Sequence, residues 1–325
     1  MAVFDMPLEE LKKYTGINPK PDDFDEYWQR ALDEMHGTDP GVEMIPADFE
    51  TPFAECYDLY FTGVKGARIY AKLLKPKNVN EPMPAILNFH GYSGNSGDWY
   101  NYLGYVASGF TIAALDCRGQ GGLSEDRGGV LGNTLQGHII RGLDDPNPDN
   151  LLFRDIFLDT AMLAEIIMNM PFVDKNRVGA MGGSQGGALT IACAALVPEI
   201  RKLAPCYPFL SDYKRVWKMD LAKDAYVELS QYFRRFDPMH LREDEIFTKL
   251  GYIDIQHLAE RINGEVLMAT GLMDTVCPPS TQFAAYNKIK SKKSMVIYPD
   301  FGHEYLPGFE DIKYRFMLGL HQPAD

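Results

Sequence analysis

Short apolar runs recur along this sequence, and longer amphipathic stretches separate them. Most of the runs end at a loop that contains glycine or polar residues. Short buried strands that alternate with helices are typical of βαβ units, so the pattern predicts a mostly parallel sheet flanked by helices. Ligands of such sheets bind near the carboxyl ends of the strands, where we expect functional residues to lie. The predicted strands of this sheet occupy residues 85–89, 111–116, 177–182, 265–271 and 294–300.

Helical periodicity is strongest in RDIFLDTAMLAEIIM, residues 154–168, which predicts an amphipathic helix. Strict alternation appears instead in residues 53–74, where a Lys65-Gly66 turn separates two strand-like runs and predicts a hairpin. Further helices are predicted over residues 100–108, 187–196 and 309–320.

Two segments stand outside this alternation. Residues 6–35 carry helical signals, with Phe24, Tyr27 and Trp28 on one face, and predict a helical arm within residues 1–50. Residues 211–261 are aromatic and charged with helical spacing, so they predict a helical insertion or lid. We therefore expect one α/β domain over residues 1–325, with an N-terminal arm and an insertion.

Composition narrows the class of partner. The chain has 325 residues, of which 46% are hydrophobic and 24% charged, as expected for a globular protein with a sizeable core. Its 32 Lys and Arg against 45 Asp and Glu give a net charge of −13. This charge repels nucleic acid and anionic membranes, so neither is an expected partner. The sequence has no run of 18 apolar residues that would span a membrane.

Cysteine usage and the N-terminal residues predict a cytoplasmic protein. The cysteines are odd in number, scattered and without C-x-x-C spacing, which indicates reduced thiols and not a disulfide framework or a zinc site. The five cysteines are Cys56, Cys117, Cys193, Cys206 and Cys277.

No H-E-x-x-H motif or phosphate-binding loop is present, so neither a metal nor a cofactor is predicted.

The stretch GGSQGG, residues 182–187, contains the pattern G-x-S-x-G around Ser184. In a nucleophile elbow this pattern places a serine on a turn so sharp that the residues two away must lack side chains. The stretch lies where a predicted strand ends and a helix begins, which favours this interpretation. A plain glycine-rich turn between strand and helix remains the alternative at this point.

A nucleophilic serine needs a histidine base, and an α/β-hydrolase places it late in the chain. His303 lies in FGHEY, directly after the predicted strand 294–300, and we assign it as the general base and later general acid. The other histidines stand in helical, insertion, tail or loop contexts and are not expected to be catalytic; they are His36, His90, His138, His240, His257 and His321.

The acid that orients the base should lie between the serine and the histidine in the chain. Asp274 in GLMDTVCPP follows strand 265–271 and has both the order and the position, so we assign it this role. Asp300 is the main competitor, but it precedes His303 by three residues and is expected to shape the loop. Asp237 and Asp254 lie in the predicted insertion and are less suitable.

The oxyanion formed by nucleophilic attack needs two backbone N–H donors. Gln185, directly after the serine, supplies the first, and the loop FHGYSG after strand 85–89 should supply the second through the Tyr92 amide. His90 in the same loop is expected to bond to backbone. Asp116 and Arg118 end another strand, where such a charged pair ties loops together more often than it binds substrate.

Together these motifs resemble the family 7 carbohydrate esterases, the acetyl xylan esterases and cephalosporin C deacetylases. The resemblance runs from DFDEYW near the N-terminus through RGQGGLS, GGSQGG and DTVCPPST to GHE. It implies an α/β-hydrolase fold and the triad Ser184, Asp274 and His303. The same resemblance implies Tyr92 and Gln185 as oxyanion donors and Val276 as a wall of a small acyl pocket.

The family resemblance also implies an activity and an assembly. It implies deacetylation of short acetylated xylo-oligosaccharides, with cephalosporin C as a second substrate. It further implies a homohexamer whose active sites face an inner cavity. Two other interpretations remain: another α/β-hydrolase activity, such as a peptidase or longer-chain carboxylesterase, and a catalytically inactive binding protein, although all three triad residues are present in order.

Overall fold

A nine-stranded sheet forms the centre of the computed structural model, which describes residues 4–127 and 138–322. Its strand order is β1-β2-β3-β5-β4-β6-β7-β8-β9. The strands are β1 (Glu43–Pro46), β2 (Ala54–Thr62), β3 (Arg68–Pro76), β4 (Met83–Phe89), β5 (Thr111–Leu115), β6 (Val173–Gly183), β7 (Lys202–Cys206), β8 (Glu265–Gly271) and β9 (Lys293–Tyr298).

The sheet is antiparallel at one edge and parallel elsewhere. β1, β2, β3 and β5 pair antiparallel in turn, whereas β5-β4-β6-β7-β8-β9 are all parallel neighbours. The predicted hairpin over residues 53–74 is confirmed by β2 and β3, with Ala54 opposite Pro76 and Thr62 opposite Arg68. The mostly parallel sheet inferred from the alternating pattern is therefore present.

Helices cover both faces of the sheet. They are α1 (Leu8–Leu11), α2 (Phe24–His36), α3 (Leu103–Ala107), α4 (Leu152–Met168), α5 (Gln185–Leu196), α6 (Tyr213–Lys218), α7 (Val227–Phe236), α8 (Glu243–Leu250), α9 (Ile255–Leu258), α10 (Pro279–Lys288) and α11 (Phe309–Leu318). The larger core lies on the face covered by α2, α4 and α5. A smaller core on the opposite face includes Val106 of α3 and Met317 of α11.

The helix that follows β6 is buried all round. Every residue of α5 is buried, and its sequence QGGALTIACAAL is dominated by small side chains. Small residues let α5 pack closely against β6, β7 and α4. The predicted helix over 154–168 is present as α4, but it too is buried almost throughout instead of exposing one face, because α2 covers its outer side.

The N-terminal arm packs on the segment between β7 and β8, which contains α6 to α9 and which we call the insertion (residues 211–261). Asp212 accepts hydrogen bonds from the Tyr14 hydroxyl (2.7 Å) and from the amides of Ile17 (3.1 Å) and Asn18 (2.8 Å). The indole of Trp28 donates to the carbonyl of Tyr252 at 3.0 Å. These bonds hold the arm against the insertion.

Three elements were not predicted from the sequence. β1 is a four-residue edge strand with every residue exposed. β7 contains Pro205 within five residues, and proline is disfavoured inside sheets because it has no N–H to donate. α10 begins at Pro279 after a second proline and has a weakly amphipathic sequence. Over the described residues, the helices are too short or too polar to cross a bilayer.

Candidate active site

Ser184 occupies a strained turn between β6 and α5. Its φ is 58° and its ψ is −120°, a backbone conformation that costs a non-glycine residue on the order of 1–3 kcal/mol. Two hydrogen bonds hold the turn: the Ser184 amide donates to the carbonyl of Cys206 at the end of β7 (3.0 Å), and the Ser184 carbonyl accepts from the amide of Phe209 in the loop that follows (3.1 Å). The sharp turn between strand and helix is therefore present, rather than a plain loop.

The glycines two residues away from Ser184 are required by their surroundings. A Cβ on Gly182 would lie 2.5 Å from the Phe89 carbonyl oxygen, and one on Gly186 would lie 2.0 Å from the same atom. Because Phe89 is fixed in β4, paired with Gly182 on one side and Leu115 on the other, that oxygen has little room to move. The requirement for glycine that the motif predicts thus arises from one atom, the Phe89 carbonyl oxygen.

The structure brings Ser184, His303 and Asp274 together. His303 Nε2 lies 3.0 Å from Ser184 Oγ, and His303 Nδ1 lies 2.8 Å from Asp274 Oδ2. Asp274 is fully buried, whereas the side chain of His303 is 21% exposed. With Asp274 as the carboxylate, Nδ1–H donates to it and Nε2 is left to accept the Ser184 proton.

The loop after β8 fixes the Asp274 carboxylate. Its Oδ1 accepts the backbone N–H groups of Val276 (2.9 Å) and Cys277 (2.8 Å). These bonds orient Oδ2 toward His303. The competing carboxylates lie elsewhere: Asp300 is exposed, Asp254 accepts the Asp212 amide, and Asp237 accepts the amides of Leu241 and Arg242.

Gln185 follows the serine and begins α5, so its N–H has no acceptor within the helix. A helix N-terminus also stabilises negative charge. Tyr92 lies on the loop after β4, residues 90–97, which we call the oxyanion loop. The pairing of Phe89 with Gly182 places the ends of β4 and β6 side by side, so the oxyanion loop begins beside the serine turn. The assignment of both amides as oxyanion donors stays a prediction.

Gln120, in the loop after β5, links the oxyanion loop to Gln185. Its Oε1 accepts from the Ser93 amide (2.9 Å) and from Gln185 Nε2 (3.0 Å), and its Nε2 donates to Gln185 Oε1 (2.7 Å). The Gln185 side chain is fully buried. The motif RGQGGLS contains Gln120, but sequence reasoning assigned it no role, because nothing local shows that three loops meet there.

Val276 lies two residues after Asp274 and is partly buried against the main core. Its amide donates a hydrogen bond to Asp274 Oδ1. Its role as a wall of the acyl pocket stays a prediction. Beside it, Cys277 is fully buried, and Ser184 acts to lower the pKa of its thiol against the larger, opposite effect of burial. Sequence reasoning did not connect Cys277 with the serine.

In the described part of the chain, one set of three potential metal ligands lies close together, namely Asp274, Cys277 and His303, with ligand atoms within 4.8 Å of one another. Metal binding requires a thiolate, and burial raises the pKa of the Cys277 thiol well above its ordinary value. The Asp274 oxygens already accept from two amides and face the imidazole. The donor set therefore fits a hydrogen-bonded triad better than a metal centre.

Residues near the other strand ends have structural contacts. His90 Nδ1 lies 2.7 Å from the Gly91 carbonyl, and its Nε2 accepts from the Cys117 amide at 3.0 Å, so it bonds to backbone as expected. Burial lowers the pKa of His90 and favours its neutral form. Asp116 and Arg118 do tie loops together, but through other partners: Asp116 accepts from the Ser96 amide, and Arg118 forms a buried pair with Asp159 of α4.

Comparison with known proteins identifies the family to which the chain belongs. The family model described as acetyl xylan esterase (AXE1) matches residues 1–320. The chain belongs to the acetyl xylan esterase family. The resemblance inferred from the sequence motifs is thereby confirmed.

Solved structures from this family share the fold over nearly the whole chain. Acetyl xylan esterase 1 from Thermoanaerobacterium sp. JW/SL YS485 is 64% identical, with a TM-score of 0.97 over 98% of this chain and 100% of that one. The acetyl xylan esterase from Paenibacillus sp. R4 is 33% identical, with a TM-score of 0.92 over 96% and 99% of the two chains. The α/β-hydrolase fold predicted from the sequence is confirmed.

A more distant relative is longer than this chain. Acetyl esterase Axe7A from Xylanibacter ruminicola is 28% identical over 297 residues, which are 90% of this chain and 64% of that protein. The chain therefore spans less than two thirds of the length of this relative.

Proposed function

We propose that the protein is a serine esterase that removes acetyl groups from short acetylated xylo-oligosaccharides. The observation that carries this proposal is the geometry of Ser184, whose Oγ lies 3.0 Å from His303 Nε2 on a strained turn. Asp274 lies 2.8 Å from the other imidazole nitrogen. Membership of the acetyl xylan esterase family supports acetyl esters as the substrate class.

In the first half of the reaction, His303 Nε2 takes the Ser184 proton while Oγ forms a bond to the acetyl carbonyl carbon. The carbonyl oxygen becomes an oxyanion, which the amides of Tyr92 and Gln185 would bind. Collapse of this intermediate breaks the bond between the acyl carbon and the sugar oxygen. His303 gives its proton to that oxygen, and the deacetylated sugar leaves.

In the second half, water hydrolyses the acetyl-enzyme. His303 takes a proton from the water, whose oxygen attacks the acyl carbon, and the second oxyanion occupies the same two donors. Collapse breaks the bond between the acyl carbon and Ser184 Oγ, and His303 returns its proton to Oγ. Acetate is released, and Asp274 keeps the imidazole in one tautomer throughout.

The acyl pocket is expected to restrict the substrate to acetyl esters. Val276 lies in the same loop as Asp274, where a branched side chain would limit the acyl pocket to acetate. We also propose cephalosporin C, from which the acetyl group would be removed, as a second substrate. This extension rests on the family resemblance alone.

We also infer a cytoplasmic homohexamer. All five cysteines are buried free thiols, as suits a reducing compartment. Val42, Met44, Ile45 and Phe53 are exposed apolar residues beside the edge strand β1, a surface that assembly would cover. Light scattering coupled to size-exclusion chromatography measures the assembly directly, and a monomeric mass would contradict it.

The function is tested by acetate release from acetylated xylo-oligosaccharides, alongside p-nitrophenyl acetate, butyrate and octanoate. We expect the Ser184→Ala variant to lose turnover by about three orders of magnitude or more with folding intact. For the wild type, kcat/KM should fall steeply from acetate to octanoate. A preference for octanoate would favour a longer-chain carboxylesterase, and cleavage of peptides without deacetylation would favour a peptidase.

A further inference from the structure

Three hydrogen-bond donors converge on the buried carboxylate of Glu228, on α7 of the insertion. Glu228 is 1% exposed. Its Oε1 accepts from the Tyr92 hydroxyl (2.7 Å) and from the His138 amide (3.0 Å), and its Oε2 accepts from the Ile140 amide (3.3 Å). One side chain of the insertion thus joins the oxyanion loop to the segment that contains His138 and Ile140.

The carboxylate is costly at this position. Burial raises the pKa of Glu228 to about 7, although the hydrogen bonds from Tyr92 and the backbone act in the opposite direction. An ionised carboxylate only accepts hydrogen bonds, which matches three converging donors. Protonation would place an O–H against one of those donors and weaken the cluster.

Tyr92 connects this cluster to the reacting centre. Its amide is one of the two proposed oxyanion donors, and its ring packs against Phe209 with ring centroids 5.6 Å apart. The Phe209 amide donates to the carbonyl of Ser184 at 3.1 Å. A displacement of the Tyr92 side chain would therefore reach both the oxyanion loop and the turn that carries the nucleophile.

We propose that Glu228 is a positioning residue that holds the Tyr92 amide in place for the oxyanion, by anchoring the Tyr92 hydroxyl from the insertion. This inference rests on the proposed function, since it needs an oxyanion at Ser184. It gives the insertion a role in the reaction, although no residue of the insertion belongs to the triad. The ionised form of Glu228 is the form that holds Tyr92 in this position.

The titratable groups that face Glu228 come from each element around it. Tyr92 faces it from the oxyanion loop, and Tyr213 interacts with it electrostatically from α6. The His138 ring packs against the Tyr92 ring in a T-shaped arrangement, with centroids 5.8 Å apart. Because burial raises the pKa values of Tyr92 and Tyr213, both phenols stay neutral between pH 5.5 and 8.5.

The test compares Glu228→Gln and Tyr92→Phe with the wild type, using p-nitrophenyl acetate. Glu228→Gln keeps the shape but removes the charge and one acceptor site, whereas Tyr92→Phe removes the hydroxyl and keeps the backbone amide. Glu245→Gln is the matched control, because Glu245 lies on α8 of the same insertion with its side chain 60% exposed. The control should keep the wild-type kcat.

We expect Glu228→Gln to lower kcat about tenfold at pH 8.5 with KM within about twofold, since a misplaced oxyanion donor costs less than the roughly hundredfold loss of a whole one. The ratio of wild-type to variant kcat should shrink to about twofold at pH 5.5, where wild-type Glu228 is protonated. Tyr92→Phe should also lose about tenfold at pH 8.5, and the double variant should be little worse than either single one.

A ratio that does not change with pH would reduce Glu228 to a structural role and overturn the proposal. Unchanged kcat in Tyr92→Phe would overturn it as well, and this variant decides the question if Glu228→Gln does not fold. Ser184→Ala is measured in parallel. Turnover retained in that variant would instead contradict the proposed function itself.

Discussion

Substitution of Gly186 by alanine tests the steric argument for the serine turn. The new Cβ would lie 2.0 Å from the Phe89 oxygen and 2.7 Å from its carbonyl carbon, whereas real Cβ contacts essentially never fall below 3.0 Å. Phe89 is held in the sheet on both sides, so the first turn of α5 must move by about 1 Å instead. Overpacking of this kind costs about 1–3 kcal/mol.

Helix propensity acts in the opposite direction but is smaller. Gly186 lies in α5, where alanine is favoured over glycine by up to about 1 kcal/mol. We therefore expect Gly186→Ala to lower the free energy of unfolding by about 1–2 kcal/mol. A shift of about 1 Å at the neighbouring Ser184 should lower kcat by about a hundredfold.

Two alanine variants provide controls for this experiment. Gly104 lies in α3 with nothing within 4 Å of its would-be Cβ, so Gly104→Ala should gain up to about 1 kcal/mol. Gly183 precedes the serine, and its would-be Cβ makes an ordinary 3.4 Å contact with the Tyr207 ring, so Gly183→Ala should keep the fold. Urea unfolding and p-nitrophenyl acetate turnover measure the outcome. A Gly186→Ala protein with wild-type stability and activity would refute the steric reasoning.

Three further predictions concern carboxylates. Asp274→Asn should lower kcat by about four orders of magnitude by losing the correct imidazole tautomer, whereas Asp300→Asn should leave the rate unchanged; the reverse result in a steady-state assay would mean that the acid is misassigned. Asp159→Ala removes the closest partner of the buried Arg118 charge and leaves only the longer 3.7 Å pair with Asp155, so it should cost about 3–5 kcal/mol in urea unfolding; a loss below about 1 kcal/mol would show that the Asp159 pair is dispensable. Burial and the neighbouring Asp212 raise the pKa of Asp254 from 3.8 to about 7. Because Asp254 is harder to ionise in the folded chain than in the unfolded one, the folded state is favoured most below about pH 4. The free energy of unfolding then falls by up to about 4 kcal/mol as the pH rises through 7. Asp254→Asn should lack this loss, and parallel stability curves for variant and wild type between pH 5 and 8 would contradict the shift.

The grouping of Ser184, Asp274 and His303 could be predicted largely from the sequence because its signals are local. Each of Ser184, Asp274 and His303 follows a short apolar run, and parallel strands deliver their carboxyl ends to one edge of the sheet. Asp237 and Asp254 were set aside because they lie in the insertion, and Asp300 because it precedes His303 by only three residues. The distances among Ser184, Asp274 and His303 needed the structure, but their proximity followed from topology.

Features that depend on distant segments could not be predicted in this way. β7 contains Pro205 and is defined by its neighbours β6 and β8 rather than by its own pattern. Glu228 lies in VELSQYFRRF, which resembles an amphipathic surface helix, and its burial is evident only once Tyr92 and the segment that contains His138 and Ile140 pack against it. Gln120 joins three loops that are far apart in the sequence.

The partners of charged residues were also beyond local reasoning. Arg118 and Asp116 are two residues apart, but Arg118 pairs with Asp159, 41 residues later in the chain. A bidentate partner of that kind is set by how α4 packs beneath the loop after β5. The sequence could predict that these residues tie loops together, but it could not predict their partners.

The proposed mechanism requires a covalent acetyl group on Ser184. Rapid acid quench of the enzyme during turnover of p-nitrophenyl acetate, followed by peptide mass spectrometry, measures where the acetyl group resides. We expect an acetylated Ser184 peptide that forms with the first turnover and decays when substrate is exhausted. Full turnover with no acetyl group on Ser184, or with the acetyl group on another residue at the same rate, would contradict it.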